Sequence, residues 1–157
     1  MNVLILDDVL KDPKAYANEA LRFPFIDFKD GSKVFKNIQP RDNDEFEKEV
    51  LKLFPNHFVK FNFIRKSPYN QIEPNFIHRD DMMGDVTVIL YLNEDKPIED
   101  GTTLYDEQGV TACIVRSKFN RMVAFDSYTL HSRSIYENFG EGDGSRLIQV
   151  IFLEEVS

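Results

Sequence analysis

The sequence predicts a mainly β fold with flanking helices, an α+β protein in which about two N-terminal helices pack on one outer face of an antiparallel β-sandwich. Up to about residue 57, apolar residues recur at helical spacing. From residue 58 to about 153 they alternate with a period of two, in short runs rich in Val, Ile, Phe and Tyr. Gly, Pro, Asn and Asp clusters separate these runs. Roughly seven or eight such strands are typical of a sandwich or barrel, and the jelly roll is one common arrangement.

The N-terminal third predicts one strand followed by two helices. The strand is the apolar run NVLIL. Asp12 then serves as an N-cap and Pro13 as the first helical position of a helix whose apolar face holds Ala17, Ala20 and Leu21. The second helix is predicted within residues 41–55, where a proline ends a set of apolar residues at helical spacing, Phe46, Val50, Leu53 and Phe54. The stretch KDGSKVFKNIQP between the two helices is predicted to be a loop.

The remaining two thirds of the chain predict a series of strands with no internal repeat, low-complexity tract or linker. With 157 residues, the chain is about the size of one domain, so a single domain over residues 1–157 is expected. The helical part covers about residues 1–57 and the β core about residues 58–153. The predicted strands lie in FVKFNFIRK, DVTVILYLN, GTTLYD, GVTACIVR, NRMVAFDS and SRLIQVIFLEE.

Composition and charge disfavour several classes of partner. The chain has 19 Lys and Arg residues against 27 Asp and Glu residues, a formal net charge of -8 that repels nucleic acids and anionic lipids. No segment approaches the roughly 18 apolar residues of a membrane span, and the N-terminal segment lacks the pattern of a signal peptide. The single cysteine, Cys113, lies in an apolar run and is expected to be a buried, inert thiol. These features predict a cytoplasmic protein that binds neither nucleic acid nor membrane.

The tripeptide His78-Arg79-Asp80 is compatible with two unrelated chemistries. In protein kinases, His-Arg-Asp opens the catalytic loop, and an Asn five residues after the Asp binds magnesium. Here Asp85 occupies that position, and the chain has no glycine-rich phosphate loop. A chain of 157 residues is also too short for a two-lobed kinase. The kinase interpretation is therefore rejected.

The alternative treats the same residues as a His-x-Asp pair that binds a metal. In an extended segment, residues i and i+2 point to the same face, so His78 and Asp80 would face one cavity while Arg79 points away. Of the other histidines, His131 lies 51 residues after Asp80, far enough for several strands to return it to the pair. Two imidazoles and one carboxylate form the facial triad that leaves positions open on non-haem Fe(II). His57 has no partner in this pattern and is predicted to be structural.

Five segments in order resemble the Fe(II)/2-oxoglutarate-dependent oxygenases, in particular their small prolyl-hydroxylase-like branch: IHRD, VILYLNED, EDGTTLYD, NRMVAFDSYTLHS and GSRLIQVIFL. The N-terminal VLILDDVLKDPKAYANEAL is similar to the beginning of such domains, so the resemblance covers most of the chain. Two departures stand out. Thr102 replaces the usual second glycine of a Gly-Gly pair, and Arg146 follows His131 by 15 residues, an interval longer than is common in the family.

The resemblance implies a double-stranded β-helix (jelly-roll or cupin-like) core and an oxidoreductase, specifically a dioxygenase. In this family His78, Asp80 and His131 would bind Fe(II), with 2-oxoglutarate and O2 as cosubstrates. Arg146 would bind the distal carboxylate of 2-oxoglutarate, because a planar guanidinium pairs with a carboxylate through two hydrogen bonds. Tyr91 would donate a further hydrogen bond to it. The implied reaction hydroxylates a C–H bond and releases succinate and CO2.

Several alternatives stay open at this point. Arg133 or Arg121 could supply the cation instead of Arg146, which could also be a surface charge, and Tyr91 could be an ordinary core residue. The whole protein could be a cupin-like barrel that binds metal or a small ligand without oxygenase turnover, or a structural jelly roll with no metal affinity. Specificity in such barrels resides on loops, so the substrate, a small molecule or a protein side chain such as proline, is not read from the core. The oligomeric state is not readable either.

Overall fold

The computed structural model describes residues 2–157 and contains ten strands and two α-helices. A mainly β chain with two N-terminal helices is therefore confirmed. A 3-10 turn, Gly142–Gly144, precedes the last strand. The elements in chain order are β1 (Val3–Leu6), α1 (Pro13–Leu21), β2 (Ile26–Asp30), β3 (Lys33–Pro40), α2 (Glu45–Leu53), β4 (His57–Ser67), β5 (Val86–Tyr91), β6 (Gly101–Tyr105), β7 (Thr111–Arg116), β8 (Met122–Asp126), β9 (His131–Arg133) and β10 (Arg146–Glu155).

The strands form two antiparallel sheets of unequal size. The larger sheet has seven strands in the order β1-β8-β5-β10-β4-β3-β2, and the smaller sheet has three in the order β7-β6-β9. The last strand, β10, pairs with both β4 and β5, so it lies inside the larger sheet although it ends the chain. The start of β10 is thereby fixed between two neighbouring strands.

The larger sheet separates two hydrophobic clusters. Its outer face packs against both helices in one cluster of buried residues: Leu10, Ala17, Ala20, Phe46, Val50, Ile64, Val88, Leu90, Leu92, Met122, Ala124, Leu147, Ile151 and Leu153. Its inner face contributes to a second cluster with the smaller sheet: Tyr91, Leu104, Val115, Val123 and Phe125. Because side chains alternate along a strand, Leu147 faces the helices while Arg146 and Ile148 face the space between the sheets.

The first helix begins as its sequence predicts, and the second also begins after a capping aspartate. The Asp12 carboxylate accepts a hydrogen bond from the Ala15 amide at 3.1 Å, and Pro13 follows as the first helical residue. Asp44 caps the second helix by accepting from the Glu47 amide at 3.0 Å. One residue of the predicted apolar face, Leu53, is exposed, because the helix ends there.

The predicted loop KDGSKVFKNIQP is wrong, because these residues form most of a β-hairpin. Strands β2 and β3 pair with each other around a turn at Gly31, whose φ is 62°. The C-terminal half of β3 then pairs with β4 through Ile38, Gln39 and Pro40. Charged residues interrupt the apolar alternation of this segment, so its strand structure depends on pairing with β4 rather than on local pattern.

Two expectations from the sequence concern membrane-spanning segments and the single cysteine. Within residues 2–157, no helix is long and apolar enough to cross a membrane. Cys113 is a free thiol on β7 and is only partly buried, although it contacts the cluster between the sheets. The expectation of a fully buried thiol is therefore met only in part.

Replacing Phe46, the aromatic residue of α2, should strongly destabilise the protein. Phe46 is fully buried between the helices and the larger sheet, whereas Phe58 on β4 is 46% exposed. We expect Phe46→Ala to lower the free energy of unfolding by about 3–5 kcal/mol, through lost burial and the cavity left behind. Phe58→Ala is the matched control and should cost far less. Urea denaturation of both variants measures the difference, and equal losses would contradict this packing.

Candidate metal centre

Three predicted ligands meet at the edge of the smaller sheet. The ligand atoms of His78, Asp80 and His131 all lie within 4.8 Å of one another. One Asp80 oxygen lies 2.9 Å from His131 Nε2, and the other lies 3.5 Å from His78 Nε2. The two imidazole rings are 4.4 Å apart between centroids. This is the one group of three or more His, Cys, Asp or Glu side chains among residues 2–157 with the spacing of metal ligands.

Backbone pairing brings the ligands together from distant parts of the chain. His78 and His131 form an isolated antiparallel bridge, in which the His78 amide donates to the His131 carbonyl at 3.0 Å and the His131 amide donates to the His78 carbonyl at 2.9 Å. The Asp80 amide donates to the Ser127 carbonyl at 2.8 Å. The segment around His78 thus extends the smaller sheet beyond β9, and alternation turns Asp80 to the same face as His78.

The central residue of the tripeptide points away from the ligands, as predicted. The guanidinium of Arg79 lies 4.1 Å from the centroid of the Tyr128 ring. It also donates to the Tyr128 carbonyl and to the Glu107 carboxylate, both at 2.9 Å. Arg79 therefore links the segment around His78 to the loop between β8 and β9, and it is not one of the candidate ligands.

Hydrogen bonds on the far side of each imidazole select the nitrogen that is free to bind metal. His78 Nδ1 lies 2.9 Å from the Phe76 carbonyl, and His131 Nδ1 lies 2.8 Å from the Thr129 carbonyl. A carbonyl only accepts, so each Nδ1 carries the proton and donates it. In the neutral rings, both Nε2 atoms then present lone pairs toward the Asp80 carboxylate. Such an arrangement of acceptors requires a shared cation, either a proton or a metal ion.

The titration of Asp80 agrees with this requirement. When the shared cation is a proton, Asp80 accepts hydrogen bonds from His131 and His78 in their protonated forms. Burial alone would raise the pKa of Asp80, but these hydrogen bonds outweigh it and hold the pKa well below its usual range. In turn, the hydrogen bond to Asp80 raises the pKa of His78 above its ordinary value, against the opposing effect of burial. The carboxylate is therefore ionised and available to a cation near neutral pH.

The donor set and its exposure are compatible with Fe(II) in particular. Two imidazole nitrogens and one carboxylate oxygen form the ligand set of non-haem Fe(II) oxygenases, whereas thiolates would favour zinc or iron–sulfur clusters. The His131 side chain is only 6% exposed, but those of Asp80 and His78 are 20% and 34% exposed. One side of the centre is thus anchored in the fold while the other is reachable by small molecules.

Arg146 and Tyr91 are both buried on the inner face of the larger sheet. Arg146 is 3% exposed and its Nε donates to Asp100 at 3.1 Å, so a mere surface charge is excluded. The Tyr91 hydroxyl lies 2.6 Å from the Thr102 hydroxyl, and burial raises the pKa of Tyr91 to about 12. The residue that departs from the family pattern, Thr102, thus provides the partner of this tyrosine.

The other two candidates for the cation, Arg121 and Arg133, have different surroundings. Arg121 is bound by Asp7 at the surface through two contacts of 2.6 and 3.1 Å. It is therefore poorly placed to bind a ligand between the sheets. Arg133 lies two residues after His131, on the same face of β9. Its guanidinium is partly buried and donates to Asn138 at 2.6 Å.

The sequence did not reveal a buried charge cluster beside these residues. Arg65 Nη2 lies 3.0 Å from Glu73 Oε1, and the same oxygen lies 3.9 Å from Arg133. Together with the pair of Arg146 and Asp100, the cluster contains three guanidiniums and two carboxylates, and so carries one surplus positive charge. The sequence feature that could have predicted the position of Arg65 is the alternation in FNFIR, which places this residue on the inner face of β4.

Solved structures with the same fold are known, although the sequence matches no protein-family model and no curated protein. An oxidoreductase of the 2OG-Fe(II) oxygenase family from Burkholderia pseudomallei superposes with a TM-score of 0.67 at 10% identity, covering 96% of this chain and 84% of that one. A Pseudomonas putida prolyl-4-hydroxylase gives 0.61 at 19% identity, covering 99% and 93%. The epimerase SnoN in complex with Fe3+, alpha ketoglutarate and nogalamycin RO gives 0.63 at 12% identity, covering 98% and 78%.

These similarities show a shared backbone fold and do not by themselves show a shared chemistry. The neighbours are 2OG-Fe(II) oxygenases, and prolyl hydroxylases are among them. At 10–19% identity, the shared feature is the fold. The chain therefore has the fold of the 2OG-Fe(II) oxygenases over nearly its whole length.

A divalent metal should bind at a single site that depends on the three ligands. We expect the metal-free protein to bind one equivalent of Fe(II) or Co(II), and His131→Ala to weaken that binding by more than about 100-fold, because a ligand is lost outright. His57→Ala is the matched control, since His57 packs on Phe54 and is not one of the three ligands. Anaerobic titration with detection of bound metal measures both. Equal affinity in the two variants would contradict the assignment.

Proposed function

We propose that this chain, which has the fold of the 2OG-Fe(II) oxygenases, is an Fe(II)- and 2-oxoglutarate-dependent dioxygenase that hydroxylates a C–H bond and releases succinate and CO2. The observation that carries the proposal is the centre formed by His78, Asp80 and His131, whose imidazoles direct Nε2 lone pairs at an ionised carboxylate. Bound Fe(II) would supply the activation of O2, coupled to oxidation of 2-oxoglutarate.

The arrangement of the sheets supports a double-stranded β-helix as the scaffold. The smaller sheet, extended by the segment around His78, has four strands facing the centre of the larger sheet. In this interpretation the metal ligands lie at the edge of the smaller sheet, and Arg146 and Tyr91 lie on the inner face of the larger sheet. Apolar residues of the second cluster lie between the sheets and exclude water from the interior.

Arg146 is the proposed partner of the distal carboxylate of 2-oxoglutarate. Within residues 2–157, its side chain donates through Nε to Asp100, and its two terminal nitrogens remain for another acceptor. The cluster of three arginines and two carboxylates that includes Arg146 carries one surplus positive charge. The distal carboxylate of 2-oxoglutarate would neutralise that charge.

Tyr91 is the proposed source of a further hydrogen bond, together with Thr102. The two hydroxyls are hydrogen-bonded to each other, and either can be the donor. In both cases one O–H of the pair remains to donate to a third group. Burial keeps the Tyr91 phenol protonated, so this donor persists at neutral pH.

The substrate is proposed to be a protein side chain, such as proline, or a small molecule. Prolyl hydroxylases and the epimerase SnoN are both among the structures with this fold. The net charge of -8 favours a neutral or basic substrate over a nucleic acid.

A second candidate function is a metal-binding barrel without oxygenase turnover. The observation that favours it is the pair formed by Arg146 and Asp100, because a carboxylate of the protein already occupies one edge of that guanidinium. In this case iron would bind but 2-oxoglutarate would not.

The formation of an Fe(II) and 2-oxoglutarate complex distinguishes the two functions. We expect anaerobic addition of both to the metal-free protein to produce the visible charge-transfer band of the chelate, and His131→Ala to abolish it. Arg146→Met should raise the dissociation constant for 2-oxoglutarate by about 10- to 100-fold, the effect of losing hydrogen bonds to a charged group. Binding of Fe(II) without the band would favour the second function. Release of succinate on admitting O2 then tests turnover.

A further inference from the structure

Arg65 is a half-buried cation to which the proposed function gives no role. It lies on β4 directly opposite Ile148 of the neighbouring strand β10. Ile148 contacts the cluster between the sheets, and directly paired residues of antiparallel strands turn their side chains to the same face. Arg65 therefore shares the inner face with Arg146, which lies two residues before Ile148. Adjacent strands are about 4.8 Å apart, so the two side chains begin from neighbouring positions.

The guanidinium of Arg65 retains unused donors. Its Nη2 lies 3.0 Å from Glu73 Oε1. Its Nε is buried, yet none of residues 2–157 accepts a hydrogen bond from it. A buried donor without a partner is costly, so its persistence calls for an acceptor that is not part of the protein.

The charges around Arg65 indicate that this acceptor is an anion. Burial lowers the pKa of Arg65, the Glu73 carboxylate raises it, and the charge of Arg146 lowers it further. Because the two side chains begin from neighbouring positions on the same inner face, their positive charges repel each other. A carboxylate bound between them would relieve the repulsion and fill the unused donors of both.

Glu73 is fixed so firmly that it can orient Arg65. Besides its contact with Arg65, its other carboxylate oxygen accepts from Gln71 Nε2 at 2.9 Å and from Asn138 Nδ2 at 2.7 Å. Arg133 approaches the first oxygen at 3.9 Å. Loops on either side of the candidate metal centre thus converge on this one buried carboxylate, which acts as a positioning residue for Arg65.

We propose that Arg65 and Arg146 together bind the distal carboxylate of the 2-oxo dicarboxylate, with Glu73 holding Arg65 in the required orientation. This inference rests on the proposed function, because it concerns the same cosubstrate. It adds a second cation, contributed by β4. It also makes the site selective for a 2-oxo acid that carries a second carboxylate at its far end.

The test compares two 2-oxo acids on the anaerobic Fe(II) protein. 2-Oxoglutarate and 2-oxobutyrate share the keto group and C1 carboxylate that would chelate the metal, but only 2-oxoglutarate carries a second, distal carboxylate. We expect Arg65→Met to raise the dissociation constant for 2-oxoglutarate by about tenfold or more and to leave that for 2-oxobutyrate unchanged. Glu73→Gln should give a smaller loss with the same selectivity. Arg121→Met is the matched control, because Arg121 is bound to Asp7 at the surface.

Arg65→Lys guards against misfolding, because it keeps a positive charge beside Glu73 while removing the planar fork that binds a carboxylate through two bonds. If Arg65→Met does not fold, the selective loss in Arg65→Lys decides the question. A metal-free measurement is independent of chelation: glutarate should raise the Tm of the wild-type protein but not that of the Arg65 variants.

The outcomes separate this inference from the proposed function. If the wild-type protein binds Fe(II) but neither 2-oxo acid, the proposed function fails and the inference fails with it. If the wild-type protein binds 2-oxoglutarate and both Arg65 variants bind it equally well, the inference alone is overturned. It is also overturned if Arg65 variants lose affinity for both 2-oxo acids to the same extent.

Discussion

The paired backbone hydrogen bonds between His78 and His131 are the constraint on which the candidate centre depends. They fix the register of two segments that are far apart in the chain, and the alternation of an extended strand then places Asp80 on the same side. Each imidazole donates a hydrogen bond to the carbonyl of the residue two positions before it, so the backbone also sets the orientation of both rings. The ligand geometry is therefore built into the smaller sheet before any metal is bound.

Around this centre the interior is unusually rich in buried charge. Three guanidiniums and two carboxylates lie between the sheets or at their rim, and burial of such groups is costly unless each charge is compensated. The compensation is incomplete, since no acceptor among residues 2–157 meets Arg65 Nε and the positive charges of the cluster outnumber the negative ones. Incomplete compensation of buried charge is typical of a binding site and rare in a purely structural core.

The sequence predicts the parts of this structure that local pattern determines. The cap Asp12 precedes a helix that begins at Pro13, and the His-x-Asp pair needs only a two-residue period to meet on one face. The β2–β3 hairpin escaped prediction, because its strands are stabilised by pairing with β4. The pair of Arg65 and Glu73 also escaped, because side chains on a strand and a loop meet only in the folded chain.

The long separation between Asp80 and His131 has a consequence for the folding energetics. A metal held by both would close a loop of some 50 residues that contains β5, β6, β7 and β8. The three ligands meet only in the folded chain, so the free energy of metal binding would add to the free energy of unfolding. With a single cysteine, the chain has no internal disulfide. The ion would therefore be a structural cross-link as well as a reagent, tying the protein's thermal stability to its occupancy by metal.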